Sequence, residues 1–181
     1  MSLYVNGSDA FKTLVLQTLQ CLDPRLELLA PDNERVNYNP TEQTTQRRLK
    51  TQQLLRELMT SCYRIQIVET SGQSGCVPTY RHADRSGSTV QWNPGQVLSF
   101  APACRCIYLG HELCHSHQLI RGAVSPADFW GTIDRKHRYE WLNISGSYRG
   151  VALSDREQAE TVTENNLRDE HRPQLGPRTQ L

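Results

Sequence analysis

Long apolar runs are missing from this chain: no segment approaches the roughly 18 consecutive apolar residues that a membrane span requires. Charge of one sign is equally scarce. A formal net charge of +1, with no extended basic or acidic tract, excludes the electrostatic footprint of a nucleic-acid binder or of a protein held to anionic lipid. Lysine is nearly absent, since all but three of the 20 Lys and Arg residues are arginine. The opening stretch MSLYVNGSDAFKTLVLQTLQ has no basic n-region, no unbroken apolar core and no small-residue cleavage site, so it does not read as a secretory signal peptide. The six cysteines are too sparse for a disulfide scaffold and are read as reduced thiols (Cys104, Cys106 and Cys114 as small buried residues). No internal repeat is present.

What remains is a chain of 181 residues, enough for one domain that buries roughly 70% of its unfolded surface. Polar residues collect at both ends and between about Asn33 and Gln52. Phe11, Leu14, Val15, Leu19 and Leu22 fall at helical spacing behind Asp9 as N-cap, with Pro24 as the stop. A polar linker follows. A second helix is predicted from a cap at Thr41, with Leu49, Leu54, Leu55, Leu58 and Cys62 as its apolar stripe. The period then changes: Tyr63, Ile65 and Ile67 alternate with polar neighbours as in a strand with one covered face. GSTVQWNPG reads as an edge strand because a proline and a glycine close it. The stretch from Ala123 to Gly150 reads mostly as loop with aromatic anchors. SDREQAETVTENNLRDEH reads as a final helix capped by Ser154 or Asp155.

Between Pro102 and Arg121 the pattern is helical again, with Gly122 as the left-handed C-terminal residue. This helix contains HELCH. Residues four apart stack on one helical face, so His111 and His115 can grip one ion while Glu112 stands one position round the cylinder. Cys106, Leu109, Leu113 and Ile120 form the side that anchors the helix in the core. Chance placement produces H-E-x-x-H about once in 100 such sequences, so context decides its weight. Here the helical period and the marked C-terminus favour a metal site. Gln118 and Arg121 stand where an extended three-histidine motif needs glycine and histidine, which excludes that class. The third ligand is then expected to be a carboxylate from the final helix, where Glu157, Glu160 and Glu164 are available and spacing alone does not choose. A zinc ion so held activates water, with Glu112 beside the metal as the general base. Tyr148, His137, Arg149 and Arg178 are candidate oxyanion donors. Thr89 to Trp92 can accept an extended peptide by strand addition. His117, two residues from His115, faces elsewhere on the helix.

HELCHSHQLIRG together with REQAETVTENNLRDEHRPQLGPRT resembles the NleD-like family of zinc metallopeptidases, which are type III secretion effectors. Matched residue by residue, that resemblance puts the family's zinc-binding glutamate on Glu157 and its Thr-Val pair on Thr161 and Val162. Its E-N-x-L-R-x-E run falls on Glu164, Asn165, Leu167, Arg168 and Glu170, and its closing arginine on Arg178. The resemblance implies an effector delivered into the host cytoplasm that cleaves a host signalling protein of the mitogen-activated kinase class. The fold expected is α+β: a single zincin-like domain with a small antiparallel or mixed sheet, an active-site helix, and a C-terminal helix supplying the third ligand. Residues 1–40 are expected to be a partly flexible secretion or docking segment with a short helix, and residues 41–181 the peptidase domain. A monomer with a protein substrate, no nucleic acid and no membrane completes the expectation. The alternative is a zinc-stabilised binding or scaffold protein without proteolytic activity.

Overall fold

The computed structural model describes residues 3–29, 34–39, 48–80, 83–96, 105–127, 133–148, 151–152, 161–173 and 176–179. Over these the chain is α+β, with five helices and a small mixed sheet. The strands are β1 (Leu3–Asn6), β2 (Leu26–Leu28), β3 (Val36–Tyr38), β4 (Ile65–Glu69), β5 (Gly75–Pro78), β6 (Ser88–Trp92), β7 (Ser147–Tyr148) and β8 (Val151–Ala152). The helices are α1 (Asp9–Leu22), α2 (Leu49–Thr60), α3 (Arg105–Arg121), α4 (Ile133–Ser145) and α5 (Glu164–His171).

The main sheet runs β1-β4-β6-β5, with β1, β4 and β6 parallel and β5 antiparallel to β6. Alternation does what it should in β4, where Ile65 and Ile67 are wholly buried and Gln66 and Val68 are not. One expectation about strands is corrected. β6 is not an edge: it is hydrogen-bonded on both sides, and the proline and glycine after Trp92 end the strand without deciding its neighbours. The edges of the sheet are β1 and β5, and β5 is the one that lines the cleft described below. The described N-terminal residues contribute to the same sheet and core. Leu3 pairs with Ile65 and Val5 with Ile67, while Phe11, Val15 and Leu19 of α1 belong to the same buried core as α3. α1 is capped by Ser8, whose hydroxyl accepts from the Phe11 amide at 3.2 Å, one residue before the predicted cap.

α3 lies at the centre and packs against the sheet and all four other helices. Twelve of its residues are buried, on every side, which explains why it carries no single apolar stripe. His117 Nε2 lies 2.9 Å from a Glu57 carboxylate oxygen that also receives Arg121 at 2.6 Å, tying α3 to α2. Gly122 ends it at a φ of +72°, as its sequence position indicated. α2 starts at Leu49, which is exposed, and the core side is Leu54, Leu55 and Leu58; the predicted cap at Thr41 lies outside the described residues. Glu170 of α5 caps α2 instead, accepting from the Lys50 amide at 2.7 Å and the Thr51 amide at 2.9 Å. The five described cysteines, Cys21, Cys62, Cys76, Cys106 and Cys114, are free thiols. Among the described residues no helix is long and apolar enough to cross a membrane.

Gly110 sets how closely α5 approaches α3. A Cβ there would sit 2.6 Å from Cδ1 of Leu167, whose side chain is fully buried and would have to shift within the core. Gly110→Ala is therefore expected to lower the unfolding free energy by about 1–3 kcal/mol, the usual cost of overpacking, read from a denaturant melt.

Candidate metal centre

The middle of α3 presents His111 and His115 one turn apart toward a cleft of about 480 Å³. α4 faces them with Lys136, Tyr139 and Glu140, which line the same cleft, and with Asn143 behind, spacings that share one helical face. Nε2 of His111 and Nε2 of His115 are 3.1 Å apart. The Glu140 carboxylate closes the figure, one oxygen 3.3 Å from His111 Nε2 and the other 3.4 Å from His115 Nε2. Tetrahedral bonds of about 2.0 Å need donor atoms about 3.3 Å apart, which is the scale of each of these separations, with both Glu140 oxygens turned toward the two nitrogens. Two imidazoles and a carboxylate are the donor set that suits a divalent transition ion with one position left for solvent. The residues fit a metal, and among the described residues His111, His115 and Glu140 are the group that can hold one.

The rings are held from behind. His111 Nδ1 lies 2.7 Å from a Glu164 carboxylate oxygen, and donating a proton there turns Nε2 toward the cleft as the ring's ligand atom. Asn143 donates to the His111 carbonyl at 3.0 Å and fixes the backbone of that turn. The His115 ring stacks on Tyr139 at 3.9 Å between centroids. Glu164 itself accepts from Arg168 at 2.6 Å and from Arg178 at 2.9 Å. Burial opposes its charge, but the hydrogen bond to His111 and the charges of His111 and Arg178 outweigh it and hold its pKa at about 2. For His111, burial again opposes the charge, and the bonds to Glu140 and Glu164 raise its pKa to about 10. His115, with burial dominant, falls to about 4. Glu140 lies well below the usual carboxylate range; burial opposes this, and the two histidines overcome it.

Glu112 lines the cleft, half-buried, and its carboxylate makes no hydrogen bond to any described residue. Burial raises its pKa to about 7; His111 draws it down, while Glu140 and Glu164 push it further up. A carboxylate poised in that range can take and return a proton near neutrality.

The structure thus brings His111, Glu112 and His115 together as their spacing predicted. The carboxylate that completes the described triangle is one the sequence reading missed, because α4 was read as loop. Its signals were Tyr139, Leu142 and Glu140 at helical spacing, 25 residues beyond His115. Glu157 and Glu160 lie outside the described residues. Glu164, the third carboxylate on offer, orients His111 rather than joining the ligand atoms. The final helix begins at Glu164 behind a Thr163–Asn166 capping box, and the stretch predicted to open it, 154–160, lies outside the described residues. Of the candidate oxyanion donors, Arg178 lines the cleft; Arg149 and the side chains of His137 and Tyr148 lie outside the described residues.

Glu164→Gln is expected to weaken metal binding about 10–100-fold, because the partner that fixes the His111 tautomer and ring is lost. Competition with a chromophoric chelator reads this directly, with circular dichroism checking that the fold survives. In comparisons with protein-family models, curated proteins and solved structures, the chain matches none.

Proposed function

We propose that this chain is a zinc-dependent endopeptidase. The observation that carries the reading is the triangle of His111, His115 and Glu140 donor atoms, with the carboxylate of Glu112 in the same cleft and bound to nothing else described. Zinc bound there supplies a Lewis acid that acidifies water at its open position and polarises a carbonyl. Glu112 takes a proton onto its carboxylate as water adds to the scissile carbonyl, then delivers it to the departing amine nitrogen. Glu164 and Asn143 keep His111 in one orientation while this happens, and Tyr139 does the same for His115. Arg178, already in the cleft, is the cation from the predicted set that can meet oxyanion charge.

Peptide as the substrate class is supported by β5. This strand lines the cleft at Gly75 and Cys76, pairs with β6 on one side and has no strand partner among the described residues on the other. An extended segment can add to that edge, gaining register from main-chain hydrogen bonds. A zincin-like arrangement, delivery through a type III system and a kinase of the mitogen-activated class as substrate follow from the NleD-like resemblance of the α3 and C-terminal motifs, and belong to the same proposal.

The test is to incubate the zinc-loaded protein, and in parallel its Glu112→Ala variant, with host-cell lysate and to read new peptide termini by mass spectrometry. Termini produced by the unaltered protein alone support the reading and name the substrate. Identical termini in both samples overturn it.

A further inference from the structure

The described lining of the cleft carries two basic side chains that the hydrolytic reaction does not use. Its described acidic lining consists of Glu112 and Glu140, the first beside the ligand atoms and the second among them. Its described basic lining is Arg105, Lys136 and Arg178. Arg178 bonds Glu164 and is already assigned to the oxyanion. Arg105 and Lys136 are exposed, and neither pairs with an acidic group among the described residues. No acidic side chain of the described lining is left to neutralise them, so both charges face whatever enters.

Their positions along the helices give the scale. Arg105 stands six residues before His111 on α3, about 9 Å along the axis, and Lys136 one turn before Glu140 on α4, about 6 Å. An extended peptide advances about 3.3 Å per residue. The two cations therefore lie within reach of side chains about two or three residues from a bond held at the ligand triangle. Arginine offers a planar fork that matches a carboxylate or phosphate, and lysine a compact charge that either can approach.

We propose that Arg105 and Lys136 are specificity-determining residues that select peptides carrying an anionic side chain, carboxylate or phosphate, two or three residues from the scissile bond. The inference rests on the peptidase reading for the identity of the ligand as a peptide. Charge complementarity acts here on selection: like charge at those positions is rejected as strongly as opposite charge is favoured.

Two readouts keep the inference and the peptidase reading apart. In the first, the zinc-loaded protein and its Arg105→Glu/Lys136→Glu variant act on a peptide library with one position fixed at a time to aspartate, glutamate, phosphoserine, serine or lysine. In the second, the zinc-loaded Glu112→Gln protein and the same double charge reversal built on it bind dye-labelled peptides of those sets, so affinity is read without cleavage. A preference of about tenfold or more for the anionic residues over lysine is expected at one or two positions, weakening with added salt and inverting in the charge-reversed proteins. The phosphoserine arm against the aspartate and glutamate arms tells which anion is favoured. Binding preference without any cleavage would sink the peptidase reading and leave the inference standing. Cleavage or binding whose anion-to-lysine ratio is the same before and after charge reversal would overturn the inference alone.

Discussion

Glu112→Gln is expected to cut peptidase turnover by about 10²–10⁴-fold, the contribution of a positioned general base, while zinc still binds at one ion per chain. The two halves of that result come from different atoms. Nothing in the triangle of ligand atoms belongs to Glu112, so replacing its carboxylate with an amide of the same shape leaves the donors where they are. What disappears is the basic oxygen that burial has tuned to titrate near neutrality. An amide accepts no proton at that pH, so neither step of the transfer has a carrier. The measurements are turnover on a cleaved peptide and metal content by mass spectrometry of the dialysed protein. Residual turnover within tenfold of the unaltered protein would remove Glu112 from the mechanism. Loss of the metal would show that it had been a ligand.

Glu140→Ala is expected to lower metal affinity by more than about a hundredfold, beyond the 10–100-fold that the orienting partners contribute, and to take the activity with it. The carboxylate provides one of three donors and the only negative charge among them. Without it two neutral imidazoles hold a dication alone. Glu140→His, which restores a nitrogen donor without the charge, should recover part of the affinity. The informative control is Glu157→Ala, the position that resemblance to the NleD-like family would make the ligand. Strong metal loss in the Glu157 variant with retention in the Glu140 variant would reverse the assignment.

The parts of this site that were legible in the sequence are those whose chemistry is local. His111, Glu112 and His115 depend on a single turn of helix, and Gly122 on the need for a left-handed residue just beyond it. β4 was legible because its alternation spans five residues with one covered face. α4 was not, since its inward side bears Lys136, Tyr139, Glu140 and Asn143, which serve a polar cleft and so erase the apolar stripe by which a helix is recognised. β5 has four residues and ends on a proline, too little pattern to distinguish from a turn. β1 is equally short, and its partner lies more than sixty residues onward, a pairing no local pattern encodes. Glu164 was legible as a candidate ligand only. That its oxygen meets Nδ1 of His111 instead depends on how near Gly110 lets α5 come.

The parallel pairing of β1 with β4 and of β4 with β6 has a kinetic side. Each contact closes a long loop whose entropy is spent before any contact offsets it, which places such a chain among the slow folders. The helical turn bearing both histidines needs only local contacts, so it is expected to form before α5 docks behind it. An ion present during refolding should then be captured loosely first and tightened in a later phase, so that its exchange rate, followed by stopped flow, slows as the native state accumulates.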